Sequence, residues 1–258
     1  MAIAQKFDCK IHIAHAYSAF HSGFQTEEAN EKDRLQAQTE AEQELENFLQ
    51  KLDTNQQPHV SSSVFQGDLL TAIAHWTNEQ QVDLIIAGIK GAATGFTQKL
   101  IGSQSFNMAK TASLPVIVVP LETEYFKFEQ IALFTNYNEN DTETLKKLEN
   151  LFGSVESMYR LIHIQESSDQ PSNSDLKSLE EWASMLEQKT GIRNLTWELA
   201  YGEESAVLVN DIAARSNIDL LVMGVEDENF FERFFDHNLT KEVIRQSKTP
   251  VLLMRSYD

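Results

Sequence analysis

Cysteine is the scarcest residue of this chain: Cys9 stands alone among 258 residues. A single cysteine excludes an internal disulfide and fits a reducing cytosol, so a cytoplasmic location is expected. Cys9 itself reads as a small core or boundary residue rather than a nucleophile. Long apolar runs are also missing. None approaches the roughly 18 residues of a membrane span, and no charged segment followed by an apolar run marks a signal peptide. Positive charge is in short supply, since 21 Lys and Arg face 39 Asp and Glu, for a net charge of −18. No basic cluster offsets that excess, which argues against nucleic acid and membrane surfaces as partners. The acid gathers at Glu27–Glu46 and Glu180–Glu187, which read as solvated helix faces. The seven histidines show no metal-ligand spacing. His12 and His15, three apart on a strand, point to opposite faces. No nucleophile–histidine–carboxylate set and no paired carboxylates stand out, so no catalytic residue and no metal site is assigned.

What the chain does contain is itself, twice. Residues 82–88 read Val-Asp-Leu-Ile-Ile-Ala-Gly, and residues 218–224 read Ile-Asp-Leu-Leu-Val-Met-Gly. Each is followed by a loop, a helical stretch and an apolar strand that opens Pro-Val, at Pro115 and at Pro250. The two prolines lie 135 residues apart, and Gly88 and Gly224 lie 136 apart. A repeat of that length is a small domain, not a solenoid unit. The domains are expected at 1–121 and 128–258, with a linker between them that carries Glu122 and Glu124.

Hydrophobic periodicity places the elements. In the first copy, strands are expected at 10–17, 60–65, 82–88 and 115–120. Helices are expected at 26–52, 68–79 and 103–111. Thr26 reads as the cap of the long helix, with acids in its first turn. Leu35, Leu45, Phe48, Leu49 and Leu52 read as its apolar stripe. In the second copy, strands are expected at 130–135, 158–165, 195–200, 218–224 and 250–254. Helices are expected at 142–152, 174–190, 204–216 and 238–246. Strands alternating with helices imply right-handed parallel βαβ units, and short apolar strands suit a sheet covered on both faces. Trp76, Trp182 and Trp197 read as core. Asp83 and Asp219, each at a strand start, read as backbone or capping partners.

The second copy thus has five strands and the first has four, and the strand without a counterpart is the first. Matching His15 to His163 places that strand ahead of Met1, as in a chain shortened at its N-terminus. In a doubly wound sheet the first strand lies centrally, so two neighbours would be left with unpaired edges.

The segment Gly88-Ile-Lys-Gly91, leading to Gly95 and then Gly102-Ser103-Gln104, follows a strand and precedes a helix. Glycines let the backbone turn sharply and approach a ligand closely. Free amides at a helix N-terminus favour an anion, and ligands of open parallel sheets sit at the carboxyl ends of the strands. The segment lacks the Gly-Lys-Ser/Thr of a Walker loop. On spacing alone it is either a flexible, glycine-assisted turn or a phosphate cradle.

Taken with the Pro-Val strands and the duplicated element order, this segment resembles the universal stress protein family (UspA-like), in its tandem two-domain form. The resemblance covers essentially the whole chain. It implies an α/β fold of two tandem doubly wound five-stranded parallel-sheet domains, adenine-nucleotide α-hydrolase-like, with the first strand of domain one missing. It implies ATP, with Mg, as the ligand of domain one. Gly88 and Gly91 would face ribose and phosphates, Gly102 and Ser103 would hold the phosphates, Gln104 would stand next to them, and Ala16 would contact adenine. The family's last strands commonly pair between domains. That makes 115–120 and 250–254 the expected interface, internal to the chain or within a homodimer.

Three departures from the family pattern stand out. Ten residues rather than nine separate Gly91 from Gly102. Asn136 stands where the family has an aspartate. After Gly224 the second copy reads Val-Glu-Asp-Glu-Asn-Phe-Phe-Glu-Arg-Phe-Phe, without glycine. Three acids where phosphates would sit argue against ATP there, and Phe230, Phe231, Phe234 and Phe235 read as an interface or a pocket cover. The expected function is a cytosolic stress-response protein that binds ATP through its first copy and is not an enzyme. The alternatives are an interaction or dimerisation module without nucleotide, and a slow nucleotide hydrolase, for which no catalytic base can be named.

Overall fold

The computed structural model describes residues 6–19, 22–52, 60–88, 107–108, 114–121, 123, 127–153, 156–166, 172–224 and 237–255. They form two compact units, Met1–Gln81 and Val82–Asp258. This division differs from that of the sequence repeat, because the last two strands of the first copy belong to the second unit.

The first unit holds β1 (Ile11–Tyr17), α1 (Glu27–Leu49), β2 (Val60–Gln66) and α2 (Leu69–Glu79). β1 and β2 pair in parallel from Ile11↔Val60 to Tyr17↔Gln66 and form a sheet of their own. α1 begins where expected. The Thr26 side chain accepts the Ala29 amide, and Glu27 and Glu28 occupy the first turn, where the helix dipole favours negative charge. Asp68 caps α2 by accepting the Thr71 amide at 3.0 Å. The core of this unit is small: among its described residues the buried apolar side chains are Ala41 and Leu45. Leu35 and Phe48, expected in the buried stripe of α1, are exposed. A sheet of two strands offers a 23-residue helix too little surface to cover that stripe.

The second unit opens with β3 (Ile85–Gly88) and β4 (Val116–Val119). The second copy follows with β5 (Gln130–Phe134), α3 (Asp141–Phe152), β6 (Met158–Gln165), α4 (Asn173–Thr190), β7 (Leu195–Tyr201), α5 (Ala206–Arg215), β8 (Leu220–Gly224), α6 (His237–Gln246) and β9 (Val251–Met254). Ser172 and Asp175 form a capping box at the start of α4, and Gly191, at φ 78°, closes it in the left-handed conformation that glycine adopts without strain. The sheet runs β3-β4-β9-β8-β5-β6-β7. All neighbours are parallel except β4 and β9, which pair antiparallel with Ile117 opposite Leu252. This is the pairing of last strands expected from the resemblance, formed within one chain. The core is apolar on both sheet faces: Leu145, Leu148, Leu161, Ile162, Val222 and Leu252 are fully buried. The fold is α/β with parallel-dominated sheets.

The duplication is visible bond for bond. The Ile85 amide donates to the Pro115 carbonyl at 2.9 Å, and the Leu221 amide donates to the Pro250 carbonyl at 2.9 Å. β1, β2, β3 and β4 correspond to β6, β7, β8 and β9. β5, which lies between β8 and β6, has no counterpart among the described residues. In place of a second five-stranded sheet, the strands of the first copy therefore fall into two groups: β1 with β2, and β3 with β4.

Candidate functional site

Ligands of parallel sheets gather at the carboxyl ends of strands, so the site is built from those ends. In the first copy, Gly88 is the last residue of β3 and pairs with Val119. Ala16 lies on β1 opposite Phe65, within the first unit. Gly91, Gly102, Ser103 and Gln104 lie outside the described residues, as do Phe230, Phe231, Phe234 and Phe235. The described residues therefore hold two of the six expected nucleotide-site positions, one in each unit.

The two strand histidines take opposite faces, as their spacing requires. His12 stacks on Trp76 at 4.1 Å between ring centroids and meets the Ser61 hydroxyl at 2.8 Å. Its pKa is lowered by burial. His15 lies 3.4 Å from Glu44 of α1. Both have structural partners. Among the described residues no group of three or more His, Cys, Asp or Glu is arranged to hold a metal.

The second copy shows what its own strand ends hold. At the end of β5 the Thr135 amide donates to the Ile162 carbonyl at 2.8 Å, and the Thr135 hydroxyl donates to the buried Asp141 carboxylate. Trp182 Nε1 donates to the same carboxylate at 3.1 Å. The next turn brings Tyr137 to φ 60°, a left-handed conformation uncommon for a non-glycine residue. It is held there by its amide, which donates to Thr135 Oγ1 at 2.9 Å. The Tyr137 ring packs on His163 at 4.6 Å and meets Trp182 edge-on at 6.0 Å. His163 Nδ1 lies 2.8 Å from the Thr135 carbonyl, which can only accept, so that nitrogen carries the proton.

Electrostatics sets the character of this region. Burial pushes the Glu204 carboxyl up and the nearby Glu166 carboxylate adds to it, while a hydrogen bond with Asn136 pulls the other way. Burial and the Asp175 carboxylate push the Tyr137 and Tyr201 phenols up. A phosphate brought to these strand ends meets Glu166, Asp175 and Glu204, which repel it. Asn136, in place of an aspartate, is engaged with Glu204 instead of lying open to a ligand. Neither the Asp141 cluster nor Glu204 was foreseen from the sequence. An Asn-Asp-Thr run at a helix start reads as an ordinary cap, and Glu204 is one of 39 acidic residues.

Of the three tryptophans read as core, Trp182 is half-buried in this cluster and Trp76 half-buried on His12. Trp197 departs from that reading, being 38% exposed. It sits on β7, which has one strand neighbour, β6, among the described residues. Asp219 is a backbone partner as expected: its carboxylate accepts the Glu129 and Gln130 amides at 3.1 and 3.0 Å.

Comparison with known proteins places this architecture. The Universal stress protein family pattern matches residues 1–120 and 133–255. The fold is similar to the crystal structure of a universal stress protein from Archaeoglobus fulgidus, at 17% identity and TM-score 0.64, over 98% of this chain and 90% of that one. It is also similar to a putative universal stress protein from Pseudomonas aeruginosa, at 15% identity and TM-score 0.57, over 98% of this chain and 84% of that one. No curated protein matches the sequence.

Proposed function

The chain belongs to the universal stress protein family, and from that premise we propose that it is a cytoplasmic stress-response protein that binds ATP through its first copy. Gly88, Gly91, Gly102 and Ser103 would take the ribose and phosphates, Gln104 would lie beside them and Ala16 would lie against the base, with Mg accompanying the phosphates. The observation that carries the reading is that the glycine-rich segment begins at the carboxyl end of a parallel strand, at Gly88, where open sheets bind their ligands. The helix expected from the sequence at 103–111 would offer free amides suited to an anion. The second copy supports the reading by contrast. Its strand ends carry Glu166 and Glu204, and no glycine follows Gly224 until the chain ends, so it serves as scaffold and not as a second nucleotide site. Among the described residues none is placed as a base for water attack, and the reading is of a protein that binds nucleotide without turning it over.

Isothermal titration of the full chain with ATP and Mg tests this. One site per chain, lost on Gly102→Leu and kept on Glu204→Gln, is the expected outcome. No heat and no nucleotide released from the purified, denatured protein would overturn it. A specific observation favours a second reading, an interaction module without nucleotide. The strands of the first copy are divided between two units, and β4 is committed to β9. Unchanged partner binding by Gly102→Leu, together with no ATP bound by the parent chain, would select that reading.

A further inference from the structure

We propose that His12 makes the first unit a proton-operated switch: an imidazolium at this position has no counter-ion, so acidification releases the Trp76 face of α2 from β1 and β2. The switch is independent of nucleotide binding.

His12 stands on the face of β1 that α2 covers. Its ring stacks on Trp76 with 19° between the planes, and its Nδ1 meets the hydroxyl of Ser61, its partner across the ladder. That hydroxyl can donate to the Ile11 carbonyl at 3.5 Å, which leaves its oxygen to accept from Nδ1. The neutral ring then carries its hydrogen on Nδ1 and a bare lone pair at Nε2. Nε2 is buried, and no described residue bonds to it. Protonation turns that lone pair into a charged N–H with neither acceptor nor water. A dry charged donor costs far more than a dry lone pair. Attraction between the imidazolium and the Trp76 face offsets part of that cost, but burial prevails and lowers the His12 pKa.

The second copy shows what a positive charge needs at this place. With His15 matched to His163, His12 corresponds to Arg160, and Ser61 to Thr196. Arg160 Nη1 donates to Glu198 Oε2 at 3.2 Å, and Arg215 and Ser216 hold the same carboxylate. The residue of β2 in the place of Glu198 is Ser63, and β2 carries no acid from Val60 to Gln66. The carboxylate that neutralises the charge in one copy is therefore missing from the other, where the charge has become one that a proton can add or remove.

Among the described residues nothing replaces that carboxylate at Nε2. Lys10, exposed and two residues before His12 on the same side of the strand, opposes a second positive charge. The titratable residues of α2 are His75 and Glu79, and Glu79, three residues beyond Trp76, is exposed. Glu44 of α1 lies against His15, on the opposite face of β1. The unit is also lightly held on the α2 side. Its buried apolar side chains, Ala41 and Leu45, both belong to α1, and α2 has none among the described residues, so α2 is the element that yields. The unfolded chain takes the proton at the ordinary histidine value, and the folded unit takes it only at lower pH. Stability is therefore complete above the ordinary value and is lost as pH falls through the folded one.

The test is a pH titration of the full chain. The His12 ring is followed by NMR, assigned through its backbone. Amide exchange of β1 and β2 is followed relative to that of β8, which removes the intrinsic effect of pH. His12 is expected to titrate below the ordinary histidine value, and the relative exchange of β1 and β2 to speed up at least about threefold from pH 7.5 to 5.5. His12→Gln should abolish that change, and so should Ser63→Glu, which restores the carboxylate of the second copy, while His15→Gln should keep it. A His12 value at or above the ordinary one, a relative exchange that does not move with pH, or the same movement in His12→Gln overturns the proposal. So does its persistence in Ser63→Glu, which would mean that a missing counter-ion is not the cause, and its loss in His15→Gln, which would assign the effect to the other histidine. Where a variant fails to fold, the titration of the parent chain still decides.

Discussion

At the residue scale, the pair Asp83 and Asp219 shows how one side chain in equivalent places has different worth. Asp219 accepts two backbone amides, and removing it strands both donors at the start of β5. Asp219→Ala is expected to destabilise the chain by about 2 kcal/mol in urea denaturation, while Asp83→Ala changes it by less than about 0.5 kcal/mol. Equal effects of the two substitutions would mean that the amides of 129 and 130 find water at no cost. Glu204 makes the complementary case, a charge the fold disfavours. Its pKa is raised by burial and by Glu166. A carboxyl with a raised folded pKa contributes most below the ordinary carboxylate range, and that contribution is lost as pH rises through the folded value. At neutral pH the ionised group is a burden, tempered by its partial exposure to water. Glu204→Gln should therefore raise Tm at pH 7 by about 2 °C, with the gain vanishing at pH 4 and below. The same Tm difference at both pH values would show that the change acts through packing.

At the element scale, the joint between the copies is the antiparallel pair β4 and β9. Ile117 and Leu252 lie opposite each other, both fully buried. Ile117→Ala is expected to cost about 3 kcal/mol through lost contacts and a residual cavity. A double-mutant cycle with Leu252→Ala should show coupling of about 0.5–1 kcal/mol, since cross-strand neighbours share surface. Strict additivity would mean that the two side chains pack against the helices and not against each other. Elements such as these were legible in the sequence because their periods are strong. Val116–Val119 and Val251–Met254 are unbroken apolar runs behind Pro-Val, and α1 follows a threonine cap and two glutamates. The pairing of β4 with β9 was legible only through the family resemblance, since β-ladders join residues far apart in the chain. The exposure of Leu35 and Phe48 on α1 was not legible, because a helical stripe reports a buried face only when there is a sheet to bury it. The candidate site was legible in part for a related reason. Glycine spacing marks where backbone can approach a ligand, but the Asp141 cluster and the raised Glu204 arise from groups that only folding brings together.

At the scale of the whole molecule, the two units differ in what holds them. The second unit has a seven-stranded sheet with fully buried Leu, Ile and Val on both faces. The first has two strands and, among its described residues, Ala41 and Leu45 as buried apolar side chains. Apolar burial supplies about 25 cal/mol per Å², and it must offset about 1–2 kcal/mol of backbone entropy for each ordered residue. A unit that buries little opens at low free energy, independently of one that buries much. Amides of β1 and β2 are therefore expected to exchange with solvent at least about a hundredfold faster than those of β6 and β8, as they would if local opening falls short of global unfolding by about 3 kcal/mol or more. Net charge acts on both units alike. With −18 on the chain, self-repulsion opposes compactness, and salt screens it over about 10 Å at 0.1 M. Raising salt from 10 to 200 mM should thus slow exchange in both units while leaving their order unchanged. Equal protection of β1 and β6 would mean that the first unit draws stability from contacts beyond its own sheet and helices. A reversal of the order with salt would mean that charge, and not buried apolar area, sets the difference.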